Sequence, residues 1–201
     1  MVERRLPRAC VVLLTFVAAC GAAGVSVCAS ATAPRVVQDS GRLVISVSPD
    51  VELVFALHEG LLLVTSYYEG SLAIRVPRGG AVAEVAWQEE RNLRGLMSQP
   101  LYREGHGYLL DKRHGLTCFE LASGTRLWDD DNRLTPKGRN PQATLVWLGD
   151  EDRALALNSD GELVLLRLNP RGYAEEARAR IIDATWAHPA YAGNCVFARS
   201  D

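Results

Sequence analysis

The feature that most constrains this chain is an internal repeat. "EGLLLVTSYYEGSLAIRV" begins at Glu59, "EGHGYLLDKRHGLTCFEL" at Glu104 and "DEDRALALNSDGELVLLRL" at Asp150. Each copy has a polar turn, a short apolar run, a second polar turn that ends in glycine, and another alternating run. The anchor glycines Gly70, Gly115 and Gly161 lie 45 and 46 residues apart. A tight turn between antiparallel strands needs a left-handed residue, and glycine takes that conformation without steric cost. A fourth copy begins at "AGNCVFARSD" and runs to Asp201, in register with Asp160.

The flanking runs "LTCFEL" and "ELVLLRL" alternate with the period of a strand that has two unlike faces. Ser123-Gly124 and Arg171-Gly172 supply a further turn per unit, and "QPLYRE", "QATLVWL" and "WAHPAYA" supply a strand before each unit. Four strands in roughly 40 to 50 residues is the size of a propeller blade. "GYAEEARARII" is the best helical candidate, but it fills the slot of the outermost strand and is read as strand. The expected fold is all-β: a partial β-propeller of about 3.5 four-stranded antiparallel blades. Its region is 32–201, an open arc incomplete at the C-terminus. We expect it to be truncated from a ring of seven or eight blades, or completed by a second polypeptide.

The first 31 residues have a different character. Arg4, Arg5 and Arg8 precede the apolar run "ACVVLLTFVAAC", and small residues follow. This is the layout of a signal peptide, with Ala29-Ser30-Ala31 as the cleavage site. Val17-Ala18-Ala19-Cys20 also resembles a lipobox, which would place a lipid on Cys20. Export to the periplasm follows, free or anchored to the membrane through Cys20. Without the leader the chain has 19 basic and 23 acidic residues, a net charge near −4. That balance gives no reason to expect nucleic acid as a partner. Cys118 and Cys195 fall in different units and are read as two buried free thiols.

"LASGTRLW" resembles the Ala-x-x-Gly-x-x-x-Trp signature of quinoprotein-type (PQQ-like, BamB-like) β-propeller repeats. Ala122, Ser123, Gly124, Leu127 and Trp128 fall on the motif, with Ser123 where the family commonly has Thr. "GGAVAEVAW", ending at Trp87, is a degenerate second copy, and the third unit has no such Trp. The resemblance covers roughly residues 50–201 and extends to repeat proteins of planctomycete-type bacteria. Related propellers include the outer-membrane assembly lipoprotein BamB and the PQQ-dependent alcohol dehydrogenases. It implies that the Trp docks blade against blade, as suits a large flat side chain.

The search for chemistry yields little. His58, His106, His114 and His188 are scattered; His106 and His114, eight apart on strand or turn positions, could converge with His188 on one propeller face. Turn and surface roles account for them, so no metal is expected. The run Asp129-Asp130-Asp131-Asn132 follows Trp128 directly and reads as a solvated loop, because its spacing fits a calcium loop poorly. There is no Gly-x-Ser-x-Gly and no phosphate-binding loop spacing. The reading leans away from an enzyme, with no cofactor. PQQ with Ca²⁺ enters only in the alternative, a fragment of a PQQ-dependent dehydrogenase. A broken gene product without an independent role is a third reading.

Two loops remain, "EERNLRGLMSQP" (89–100) and "NRLTPKGRNPQ" (132–142), in equivalent places before an inner strand. Such loops line the funnel of a propeller and commonly bind partners. Arg94, Gln99, Lys137, Arg139, Asn140 and Gln142 form the candidate binding rim. The competing reading makes the loops connectors that cap the neighbouring blade. The function expected is a non-catalytic exported scaffold for a protein partner, as part of a larger propeller.

Overall fold

The computed structural model describes the backbone of residues 12–16, 23–27, 35–39, 42–46 and 53–58. It also describes residues 60–201 with side chains, except 77–82, 96–97, 139 and 150. Ala29-Ser30-Ala31, Cys20 and Arg139 lie outside the described residues.

The described chain is all-β, without a helix. Strands β1 (Val12–Phe16), β2 (Ala23–Val27), β3 (Arg35–Asp39) and β4 (Arg42–Ser46) form a sheet in the order β1-β2-β4-β3, with β2 and β4 parallel. Three four-stranded antiparallel meanders follow. The first contains β5 (Leu53–His58), β6 (Leu61–Ser66), β7 (Gly70–Arg75) and β8 (Glu84–Glu89). The second contains β9 (Leu101–Arg103), β10 (His106–Asp111), β11 (Gly115–Glu120) and β12 (Arg126–Asp129). The third contains β13 (Ala143–Trp147), β14 (Arg153–Asn158), β15 (Glu162–Asn169) and β16 (Gly172–Arg180). A two-stranded sheet, β17 (Ala190–Ala192) and β18 (Cys195–Phe197), comes last. Three blades and the inner half of another match the expected partial propeller. "GYAEEARAR" is the outer strand β16, so strand wins over helix there.

The turns behave as their residues dictate. Gly70, Gly115 and Gly161 have φ of 84°, 78° and 79°. Space is as restrictive as conformation there. A Cβ on Gly70 would strike the carbonyl of Glu89, and one on Gly161 the carbonyls of Ile182 and Asp183. The strand that leaves each blade therefore passes directly over its central turn.

The core lies between blades. Blades two and three enclose Tyr108, Leu110, Leu116 and Cys118 on one side and Leu145, Ala154, Ala156, Val164, Leu166 and Leu168 on the other. Blades one and two enclose Leu61, Leu63, Leu109, Phe119 and Leu121. Alternation along each strand sends neighbouring residues to opposite seams. Cys195 corrects the expectation of two buried thiols: Cys118 is buried and Cys195 is exposed. The reason is the half-sheet, in which β18 carries Cys195 and Phe197 on a face that no described strand covers.

Candidate functional site

Each meander places its second-to-third-strand turn at one end of the blade, beside the loop that leaves the blade. Both candidate loops belong to this end. The short turns at Glu104-Gly105 and Leu121–Thr125 belong to the other.

The first blade-end loop starts at Glu89, whose carboxylate accepts the N–H groups of Arg91 and Asn92 at 2.8 and 3.2 Å. Those backbone donors hold its pKa below the usual carboxylate range. Leu93 is fully buried, and the next amide, Arg94 N–H, donates to Asp111 Oδ2 at 2.7 Å. Asp111 Oδ1 accepts Arg113 N–H and His114 N–H at 2.8 and 2.9 Å. One buried carboxylate thus folds its own turn and holds the loop of the preceding blade.

The third blade repeats the device. Asn158 Oδ1 accepts Asp160 N–H and Glu162 N–H, at 3.1 and 3.0 Å. Its Nδ2 donates to Leu134 O at 3.0 Å, in the loop of the second blade, and Ser159 N–H donates to Gln142 O at 2.8 Å. Ser66 stands at the same place in the first blade and accepts Tyr68 N–H at 3.2 Å. The sequence reading passed over this series. Its signal is a short polar acceptor at the end of the second strand of every unit.

The candidate rim residues separate into two kinds. Arg94 is fixed: its backbone is held by Asp111, and its Nε donates to Glu90 O at 3.1 Å. Gln142 is half-buried, with its carbonyl used by Ser159. Gln99, Lys137 and Asn140 are exposed, and Lys137 lies 3.4 Å from the Asp131 carboxylate. The loops therefore do cap their neighbours through backbone groups, while three of the six rim side chains face solvent. Between the turns of the first two blades, Lys112 Nζ sits 3.5 Å from the Tyr67 ring centroid, a cation–π contact that spans the seam.

The acidic run does not converge. Asp130 is completely buried. Its Oδ1 accepts Leu116 N–H and Asn132 N–H, and its Oδ2 accepts Leu134 N–H, at 2.8, 2.9 and 2.7 Å. Burial pushes its pKa up, against the pull of those three donors. Asp129 turns back to Arg126 at 3.3 Å, and Asp131 is exposed beside Lys137. The solvated-loop reading holds for Asp131 and fails for Asp130. These side chains do not fit a calcium site of the kind a PQQ enzyme needs, since the central carboxylate is consumed by backbone donors. Among the described residues no three His, Cys, Asp or Glu side chains are grouped to hold a metal ion.

The histidines do not meet. His106 opens the six-residue β10 and His114 follows its far end, so the strand holds them at opposite ends of the blade. His188 Nδ1 lies 3.2 Å from Thr144 Oγ1. The side chain of His58 is outside the described residues.

The tryptophans join the blades. Trp87 Nε1–H donates to Leu121 O at 2.8 Å, and its ring meets Phe119 edge-on at 6.1 Å. Trp128 Nε1–H donates to Asn169 O at 2.9 Å, with Tyr173 at 6.5 Å. Trp147, on an inner strand, donates to Tyr102 O at 3.1 Å and meets Tyr108 edge-on at 5.5 Å. In the third blade Ala177, opposite Leu165, stands where Trp87 pairs with Ala73 and Trp128 with Cys118. The outer strand there carries ion pairs instead. Arg153 and Arg167 share Glu176, each at 2.9 Å, and Arg178 lies 2.8 Å from Glu175.

No family model matches the chain, and no curated protein matches it. Among solved structures it is similar to BamB from Moraxella catarrhalis, with a TM-score of 0.53 and 16% identity over 73% of this chain and 39% of that one. It is also similar to the computationally designed Ika8 protein, with a TM-score of 0.51 and 8% identity over 78% of this chain and 46% of that one. The chain spans less than half the length of either. At these identities the likeness is one of fold alone, a BamB-like partial β-propeller.

Proposed function

We propose that the chain is an exported, non-catalytic segment of a PQQ-like β-propeller and that it serves as a scaffold for a protein partner. One observation carries this reading. The loops at one end of the blades have their backbones fixed by Asp111 and Asn158, while Gln99, Lys137 and Asn140 face solvent. Polar side chains presented from a rigid frame suit recognition of another protein's surface, because little order is lost on docking.

The test places a photo-crosslinking amino acid at Gln99 or Asn140 in the full chain, expressed in a bacterial cell. Ala122, exposed at the other end of the blade, is the control. We expect a discrete adduct from the first two positions and none from Ala122. Equal adducts from both ends, or none, would sink the scaffold reading.

Export is tested on the same strain. The leader predicts a periplasmic protein that begins after Ala31 or at a lipid-bearing Cys20. Palmitate labelling abolished by Cys20→Ser selects the second form. A full-length chain retained in the cytoplasm would overturn both.

A further inference from the structure

At the end of the blades opposite the candidate rim, the seam between blades two and three contains an unsatisfied polar corner. Arg103 ends β9, and its guanidinium lies over the Trp147 ring, 4.1 Å from the centroid. Its Nη2 donates to Gly149 O at 2.8 Å. Its Nη1 is buried and has no hydrogen-bond partner. His106 is the direct cross-strand partner of Arg103, and its Nδ1 is likewise buried without a partner. Opposite residues of an antiparallel pair point to the same face. Both orphaned nitrogens therefore belong to one corner, on the face that packs against the third blade.

A buried donor left unmade is costly, more so on a charged group. Among the described residues no carboxylate pairs with Arg103, whereas Arg126, Arg153, Arg167 and Arg178 all have acidic partners. Glu120 faces His106 from the other flank, but it is exposed and accepts the Ser123 hydroxyl at 2.7 Å. The corner thus offers a cation already held in place by an aromatic ring and a carbonyl. It also offers an imidazole nitrogen that donates when its proton is on Nδ1. What is missing is an acceptor with negative charge.

We propose that Arg103 and His106 form a binding site for a single oxyanion, a phosphate or a carboxylate. The guanidinium supplies charge and a directed N–H, the imidazole supplies the second donor, and Trp147 fixes the guanidinium plane. The site is separate from the rim and does not depend on the scaffold reading. A free anion and the carboxylate of a protein ligand would use the same donors.

The test follows the side-chain nitrogen resonances of His106 in the full chain by NMR. Inorganic phosphate is titrated at constant ionic strength, and in a second arm a short peptide rich in Asp and Glu. We expect a saturable shift of the Nδ1 resonance and a matching saturable rise in melting temperature. Arg103→Gln should weaken the apparent affinity by about tenfold or more. Saturation by phosphate identifies a free anion, and saturation by the peptide alone identifies a ligand's carboxylate. If neither shifts His106 saturably, ordered water fills the corner and the proposal is overturned. A non-saturating rise in melting temperature, equal in Arg103→Gln, is general salt stabilisation and also overturns it. Should Arg103→Gln fail to fold, the wild-type titration decides alone.

Discussion

Asp129, Asp130 and Asp131 are consecutive and chemically identical, yet the fold gives each a different task. Asp130 alone is enclosed, because the chain leaving β12 folds back over the turn before β11 and needs an acceptor for three amides. Asp130→Ala strands the amides of Leu116 and Leu134 in a buried setting, which should cost about 3–5 kcal/mol. Lys137→Ala, on an exposed pair, should change stability by less than about 0.5 kcal/mol. Urea unfolding of the two variants checks the contrast, and equal losses would refute the role of Asp130. Nothing in "DDDN" alone singles out Asp130, since one of its three donors, Leu116 N–H, comes from a strand fourteen residues upstream. Gly124 was legible as a turn residue, but its second duty was not. A Cβ there would lie 2.7 Å from the Trp87 ring, and its φ is 73°. Gly124→Ala combines left-handed strain with overpacking and should cost about 2–4 kcal/mol. The repeat motif therefore serves two seams: its glycine receives the Trp of the preceding blade, and its own Trp128 goes to the following one.

Among the elements, the strands were the readable part. Short apolar runs identify β10 and β14 and alternating runs identify β11 and β15; β10 and β11 are buried on both faces, as a strand packed between two blades requires. β16 was harder, since its exposed residues include Glu175, Glu176 and Arg180, which helices also favour. The absence of a docking Trp in the third unit was legible; the ion pairs that stand on that strand were not. Trp128 is half-buried, so Trp128→Ala should remove about 2–4 kcal/mol, somewhat less than truncation of a fully buried large aromatic. Trp128→Phe should retain more of the packing but lose the bond to Asn169 O. Thermal unfolding orders the three proteins as wild type, Phe, Ala. A melt unchanged by Trp128→Ala would remove this residue from the seam. The loops were recognised as equivalent, but their anchoring was hidden. The residues that hold them, Asp111 and Asn158, lie 17 and 24 positions further along the chain.

At the scale of the whole molecule, the seams set the response to pH. Burial raises the Cys118 thiol to about 12, and Tyr108 beside it is raised as well. The unfolded thiol titrates near 8.5. Below that pH both states hold the proton and stability is unaffected. Between about 9 and 12 the unfolded chain releases it and the folded chain does not, so stability falls as pH rises. The slope from one thiol reaches about 1.4 kcal/mol per pH unit. Urea midpoints at pH 8 and pH 10.5 should therefore diverge, and Cys118→Val should reduce the divergence. Identical slopes with and without the thiol would exclude it as the source. The partial propeller itself was legible, because three glycine-anchored units cannot bury their faces except against one another.

The grip of Asp111 and Asn158 has a direction. Each forms its own turn from groups within its blade, and each reaches back to the loop of the blade before it. A blade can therefore close its central turn at once, but its outgoing loop stays unfastened until the next repeat exists. During synthesis, at roughly 5–20 residues per second, a unit of this size takes roughly 2–9 seconds to emerge. The nascent chain should accordingly carry an unfinished loop, that of the blade completed last, until the turn of the next blade emerges. A protease added to stalled ribosomes should find the cut site advancing along the chain, one repeat behind the exit.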